Sequence, residues 1–527
     1  MEPNVPLERR MFLRRMAQAS IVASGVLATS PSFVNAYGTS ANAATRARSH
    51  PSTSAWRSLA QALRGQLVLP TTPGFATRAL LYNSKFASLR PQAIAYCAGS
   101  DDIARCLDFV NAHDVAFATR AGGHSYGGYS SSSGLIIDVS RLNFIKVDVT
   151  ARRAKIGAGA RLIDVYNVLG SHGLVLPSGS CPTVGIAGIT LGGGVGVFAR
   201  KYGLTCDRLR SARLVTASAT QLSANAQTHS DLWWALRGGG GGNFGVVTSF
   251  DFDLAPMPRV TLFSQQFAWN AAARVLEGWQ HWIGTLPDEL WSDCQLLSQG
   301  SAGYLIEING VFCGTATQLA PHLQSLRAHV GAPTSSFIGD DAYLEAMKIE
   351  AGCSQLSVAA CHLAGVSRGG VLGHEAYSAK STYVPTPDSS ARCAQWVHAI
   401  ETLHAEAPYV GAALAFDAYG GAINRVAPES TAFVHRDQLA GVQATYSWGS
   451  STALSEIAAG ERWLEWLGAE VFDERTGAYQ NYIDPTLAHW PRAYYGTNLA
   501  RLQVIKARYD PDNRFSFAQS IAPRSTS

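Results

Sequence analysis

His124 and Cys181 each stand in a glycine-dense stretch of this 527-residue chain. The first stretch reads Thr119-Arg120-Ala121-Gly122-Gly123-His124-Ser125-Tyr126. The second runs from Gly179-Ser180-Cys181-Pro182-Thr183-Val184-Gly185 through Gly188 to Gly192-Gly193-Gly194-Val195-Gly196. Glycines let a backbone take positive φ and approach a ligand closely, and successive free N–H groups then make a cradle for anions. An imidazole or thiolate beside such a cradle is a nucleophile able to bond the electron-poor methyl edge or ring carbon of an isoalloxazine. Taken singly, each signal has a plainer reading: His124 as a surface histidine on a turn, Cys181 as a small buried hydrophobe.

These loops need strands and helices to aim them. From Ala93 an apolar strand (Ala93–Cys97), a helix (Ser100–His113) and a second strand (Ala116–Arg120) alternate, with Asp101 and Asp102 favouring the helix start. The first glycine motif therefore follows a strand directly, where a phosphate-binding turn belongs. Leu135–Val139 reads as a buried strand, and Lys155–Gly159 with a helix over Leu162–His172 leads into the second motif. A third cluster follows Asp231-Leu232-Trp233-Trp234-Ala235-Leu236-Arg237: five glycines, then Asn243-Phe244-Gly245-Val246-Val247. None is a GxGxxG fingerprint opening a helix, and no clear strand precedes Gly192–Gly196.

Past Pro256 the glycine clustering stops. Leu262–Phe267, Gly303–Phe312, Ala412–Phe416 and Gln443–Trp448 read as strands of an antiparallel sheet, with helices at Asn270–Gly284, Thr317–Val330 and Leu454–Leu467. From Tyr479 an aromatic-rich tail holds Tyr479-Gln480-Asn481-Tyr482-Ile483-Asp484, a helix over Leu499–Tyr509 and ordered turns, and is expected to pack back on the first domain.

The bulk composition, 47% apolar and 15% charged with a net charge of +4, is that of a globular protein of two or three packed units. Its scattered arginines give no footprint for nucleic acid, and no CxxC or HExxH pattern suggests a metal. Arg9-Arg10-Met11-Phe12-Leu13-Arg14-Arg15, a weakly apolar run and small residues near Ala36 and Ala43 resemble a twin-arginine export signal over residues 1–43. That run is too short and interrupted to span a membrane. The expectation is export to the periplasm or the outside, where disulfides form; Cys353 and Cys361 are close enough in sequence to pair.

Together the motifs resemble the berberine bridge enzyme branch of the vanillyl-alcohol-oxidase-like flavoproteins, which share an FAD-binding PCMH-type domain. The likeness spans Val68 to Ile521 and is carried by Arg120–Tyr126, Cys181–Gly185, Trp233–Gly239, Tyr479–Asp484 and the tail from Tyr494. It implies an α+β fold: an FAD-binding domain at 68–255, a substrate domain at 256–470, and a C-terminal segment at 471–523 returning to the first domain. It implies FAD bonded through His124 at the 8α-methyl and Cys181 at ring carbon 6. Arg120, Ala121, Gly122, Gly123 and Ser125, with Gly185, Gly188, Gly192, Gly193, Gly196, Gly245 and Val247, would hold the rest of the cofactor. Val184 matches the position where valine accompanies oxygen reactivity, which implies an oxidase making hydrogen peroxide from dioxygen.

The resemblance also implies a substrate base. Tyr479 and Tyr482 match the family's paired tyrosines, Tyr482 being the candidate base and Tyr479 the alternative, with Asn481 orienting the segment. On an extended segment these two would face opposite sides, so one alone would contact substrate. Asp417 reads either as the activator of that tyrosine or as a solvated strand-end aspartate. Two positions depart from the plant pattern: Thr445 stands where a glutamate base would be, and Ile189 where a flavin-contacting histidine would be. The function implied is oxidation of an alcohol carbon in a carbohydrate or secondary metabolite. The alternatives are a dehydrogenase of the same fold and a non-catalytic flavin-binding protein.

Overall fold

The computed structural model describes residues 49–524, so the twin-arginine-type segment lies outside the described residues. Among these residues the strands form four sheets. In the first, Gln66–Val68, Ala93–Tyr96, Leu135–Asp138 and Phe117–Arg120 lie side by side, the last three mutually parallel. Leu135, Ile136 and Ile137 are all fully buried, the continuous apolar run that a strand covered on both faces requires. The helix Ser100–His113 makes the crossover. Its Asp102 carboxylate accepts N–H groups of Arg64, Gly65 and Ala98 at 2.8–2.9 Å and fastens the edge strand to the helix.

The second sheet is antiparallel, in the order Ile145–Asp148, Arg153–Gly157, Val246–Asp253, Leu209–Val215, Gln221–Asn225. A two-stranded pair joins Leu174–Val175 to Ala255–Pro256. The largest sheet has seven antiparallel strands: Ser335–Asp341, Val260–Phe267, Tyr304–Phe312, Leu290–Gln299, Gly411–Ala418, Ala440–Trp448 and Ala376–Val384. Together with the helices this is an α+β fold. Ser335–Asp341, Leu290–Gln299 and Ala376–Val384 escape the sequence pattern because serines, glutamines and acids interrupt their apolar alternation.

Side chains alternate across a strand, and here the alternation divides two surroundings. Cys294, Leu296, Ile306, Ile308, Leu414, Phe416, Val442 and Ala444 pack in one cluster with Trp279, Trp282, Trp396 and Trp463 of the covering helices. The opposite face therefore receives Asp293 and Gln295, Glu307 and Asn309, Ala415 and Asp417, and Gln443. The register sets them in two rows, Glu307–Gln295–Ala415–Gln443 and Asn309–Asp293–Asp417–Gly441.

The C-terminal helix Leu499–Tyr509 is tied to the third glycine cluster by Lys506. Its ammonium donates to the Asn243 carbonyl at 2.8 Å, the Phe515 carbonyl at 2.7 Å and the Asp510 carboxylate at 2.6 Å, with both charged side chains fully buried. Asn243 Oδ1 in turn accepts the Ile521 N–H. Removing one partner of a buried pair strands the other charge, at about 3–5 kcal/mol. Lys506→Ala should accordingly lower the thermal midpoint and expose the C-terminal segment to limited proteolysis; Asp510→Asn with Lys506→Met should recover most of the loss.

Candidate active site

Two glycine loops arrive at one place because neither has a side chain there. A Cβ on Gly122 would sit 2.3 Å from the Gly185 nitrogen, and one on Gly185 would sit 2.5 Å from the Gly122 nitrogen. The second loop is pinned by an antiparallel bridge between Arg161 and Gly185, with Leu162 N–H to Val184 O at 3.0 Å and Ile186 N–H to Ala160 O at 2.9 Å. A cavity of about 830 Å³ opens beside this contact. Its wall includes Arg120, Ala121, Gly122, Gly123, His124, Ser125, Cys181, Val184, Gly185, Gly188, Gly196, Gly245, Val247, Asn481, Tyr479, Tyr482 and Asp417.

Gly192 and Gly193, expected at the cofactor, stand elsewhere. A Cβ on Gly192 would meet the side chains of Asn481 and Gln480, and one on Gly193 would meet the Phe433 ring. Gly192 makes room for the C-terminal turn and Gly193 for Phe433 instead.

Burial holds His124 well below the ordinary histidine range, at about 3, with Arg161 and His374 adding to the effect, so its imidazole is neutral. The ring stacks on Tyr82 at 4.1 Å, and Nε2 lies 2.8 Å from Thr183 Oγ1. In the tautomer that donates Nε2–H to that hydroxyl, Nδ1 carries the free lone pair. Cys181 is open to the cavity while the other unpaired cysteines are buried or half-buried. Burial pushes its thiol up to about 11, with Glu375 contributing, so its proton must leave as any bond forms. Cys353 and Cys361 are disulfide-bonded.

The donor set fits a cofactor with a pyrophosphate. Arg120 is buried against Asp138, with Nε to Oδ2 at 2.6 Å, yet its Nη1 has no protein partner. Arg161, which the sequence reading passed over because it sits in no motif, likewise has an unpartnered buried Nη1, and that atom lies 3.1 Å from where a Gly122 Cβ would be. Two orphaned guanidinium N–H groups beside a glycine contact suit a phosphate anion.

Gln480–Tyr482 is a 3₁₀ turn closed by the Tyr482 N–H to the Tyr479 carbonyl at 2.9 Å. Residues three apart eclipse in such a turn. Tyr479 and Tyr482 therefore share a side, their rings 4.9 Å apart and edge to face, which corrects the expectation from an extended segment. Their hydroxyls differ. The Tyr479 oxygen accepts N–H groups from Gly194 at 2.9 Å, Val195 at 3.3 Å and Asn481 at 2.8 Å. Burial pushes it up to about 12, and these donors restrain the rise. Tyr482 stacks on Tyr126 at 5.3 Å, is raised well above the ordinary tyrosine value by burial and then by Asp417, and lines the cavity.

Asp417 is no solvated strand end. It opens into the cavity in register with Asp293, and burial followed by Asp293 pushes it up to about 7. Glu350 rises to about 8 for the same reasons, with Asp293 and Asp417 as its neighbours. Thr445 lies two residues beyond Gln443 on the same face; Gln443 reaches the cavity and donates to the Tyr126 hydroxyl at 2.8 Å. Ile189 is on the wall, its carbonyl accepting the Asn481 amide at 3.1 Å. Trp291, Asp293 and Glu350 on the wall, and Tyr82 and Glu375 near His124 and Cys181, carry no local signal and are placed by strand register, a helix end and loop contacts.

A family model described as an FAD binding domain matches residues 91–225, and one described as berberine and berberine like matches residues 478–522. An uncharacterised FAD-linked oxidoreductase of Bacillus subtilis is 34% identical over 438 residues, 82% of this chain and 91% of its own. The glucooligosaccharide oxidase of Sarocladium strictum is 30% identical over 455 residues, 82% of this chain and 87% of its own. Among solved structures, Physcomitrella patens BBE-like 1 has a TM-score of 0.80 at 28% identity, covering 89% of this chain and 99% of that one. The chain is thus an FAD-binding oxidoreductase. It belongs to the berberine-bridge-enzyme-like FAD-linked oxidases.

Two measurements test this geometry. Gly185→Ala forces the loops apart, a packing clash of about 1–3 kcal/mol, and should lower flavin content more than it lowers the yield of folded protein. For the acids, a carboxyl raised in the folded state contributes stability at low pH that is lost as pH rises through its folded value. The thermal midpoint should fall as pH climbs from about 4 and level off once it passes about 7 to 8, and Asp417→Asn with Glu350→Gln should flatten that slope.

Proposed function

We propose that the protein is an exported oxidase that removes hydride from an alcohol carbon of a carbohydrate or secondary metabolite. His124 Nδ1 and Cys181 Sγ would hold FAD covalently, and the bound flavin would supply the hydride acceptor and the route for electrons to dioxygen, with hydrogen peroxide as the product. In this reading residues 1–43 direct export by the twin-arginine route, 68–255 hold the cofactor, 256–470 hold the substrate and 471–523 bring in the base. Arg120 and Arg161 neutralise the pyrophosphate.

The observation that carries the reading is that one cavity is lined by His124, Cys181, Tyr482 and Asp417 together. Tyr482 takes the substrate hydroxyl proton as hydride leaves the carbon. Its own high affinity for its proton forbids a standing phenolate, so the Tyr482 proton passes toward Asp417, whose carboxyl is poised near neutrality. Tyr479 serves as a positioning residue, holding Gly194, Val195 and Asn481 to the turn that carries Tyr482. Val184, on the cavity wall, is assigned to oxygen access. The glucooligosaccharide, xylooligosaccharide and chitooligosaccharide oxidases among the relatives support a sugar alcohol as the donor.

Intact-mass analysis should find the polypeptide heavier by one FAD, with colour retained after acid denaturation. His124→Ala or Cys181→Ala alone should keep the colour on the chain, and the double variant should release it. Tyr482→Phe should slow anaerobic flavin bleaching by substrate by about 10²–10⁴-fold. Turnover on an artificial dye with none in air would replace the oxidase reading by a dehydrogenase.

A further inference from the structure

The sheet face in the cavity carries more acid than hydride transfer uses. Asp293 and Asp417 stand directly opposite one another on neighbouring antiparallel strands. Residues so placed have Cβ atoms roughly 4.5–5.5 Å apart, and like charges there repel. Glu350, from the end of the helix Tyr343–Glu350, joins them on the wall. Among the described residues no salt bridge engages any of the three. Asp293 accepts the Asn309 backbone N–H at 3.2 Å and a Gln295 amide N–H, neutral donors that leave its charge unbalanced. Nor are these acids set as metal ligands, since no group of three or more His, Cys, Asp or Glu among the described residues has that arrangement.

Two further atoms call for an occupant. The Trp291 indole N–H and Asn309 Oδ1 are buried without a protein partner, in cavity-lining residues 7% and 6% exposed. Buried polar atoms of this kind are completed by a ligand or by water. The unmet demand is chiefly for donors and for positive charge: three carboxyls and an amide oxygen against one indole N–H.

We propose that this acidic floor is a subsite for a protonated amine, so that the substrates are alcohols bearing a primary ammonium close to the oxidised carbon. An unacetylated 2-amino sugar is the simplest carbohydrate of that class. An ammonium brings three N–H donors and the missing charge, and its arrival lets the acids, pushed up to about 7 at Asp417 and about 8 at Glu350, ionise together. Asp417 neighbours both the cluster and Tyr482, which sets the amine within a few bonds of the hydroxyl that Tyr482 deprotonates. Acetylation would remove the charge and turn a carbonyl oxygen toward the carboxylates.

The inference rests on the oxidase reading for where the hydroxyl lies, but the binding it requires does not depend on turnover. Calorimetric titration of the flavin-loaded protein near pH ~7 should be run anaerobically with the β-1,4-linked glucosamine disaccharide, its N,N′-diacetyl form and cellobiose. The glucosamine disaccharide should bind at least about tenfold more tightly than either neutral sugar, as charge-assisted hydrogen bonds are worth. Asp293→Asn and Glu350→Gln, near-isosteric changes that also relieve repulsion, should bring that ratio toward one. Equal affinities, tighter binding of the neutral sugars, no binding of the amine, or a ratio untouched by both variants would overturn the proposal. Bleaching by neutral sugars alone would leave the oxidase standing without the amine subsite; amine-selective binding with no bleaching by any alcohol would do the reverse.

Discussion

The site depends on a contact between two backbones. Gly122 and Gly185 lie so close that neither tolerates even a methyl group, and this contact brings the His124 and Cys181 loops to one cavity. Each loop is anchored from behind, one by the parallel strand Phe117–Arg120 and the other by the bridge from Arg161 to Gly185. Hydrogen bonding at Thr183 and stacking on Tyr82 then orient the imidazole, and burial keeps it neutral. Without the glycine pair the two nucleophiles would belong to separate surfaces.

The cavity joins surroundings of opposite character. Its glycine-loop side carries Arg120, with the unpartnered Arg161 Nη1 beside Gly122, and its sheet side offers the acids Asp293, Glu350 and Asp417. The 3₁₀ turn Gln480–Tyr482 lines the same cavity, and Tyr479 fastens that turn to the Gly194–Val195 backbone. Such an arrangement costs stability in the unliganded protein, because like charges and unpaired donors are held out of water. Strain of this sort at a site is usual where ligands later supply the missing partners.

Much of the framework was legible along the chain. The helix Ser100–His113 and the helix Leu499–Tyr509 coincide with their apolar periodicity, and the strands at Val260–Phe267, Tyr304–Phe312 and Ala440–Trp448 begin and end within a few residues of their alternating pattern. The strand Leu290–Gln299 was not, since Ser292, Asp293, Gln295 and Ser298 break its apolar rhythm for reasons that lie across the sheet. Gly192 and Gly193 were misplaced because a glycine signals close approach without naming what approaches.

Local composition by itself determined that His124 and Cys181 sit in glycine-rich turns and that an aromatic-rich segment begins at Tyr479; the FAD-binding architecture came from the resemblance those motifs carry together. Those are properties of short segments, where propensity and steric permission act over a few bonds. Tertiary structure decided that Asp293 faces Asp417, that Glu350 joins them, that Arg161 turns toward the glycine contact, and that both tyrosines share a side. The first three follow from strand register, a helix end and a loop contact between residues far apart in the chain, and the last from a 3₁₀ turn in place of extended backbone; period-two alternation fixes a face without identifying its neighbours.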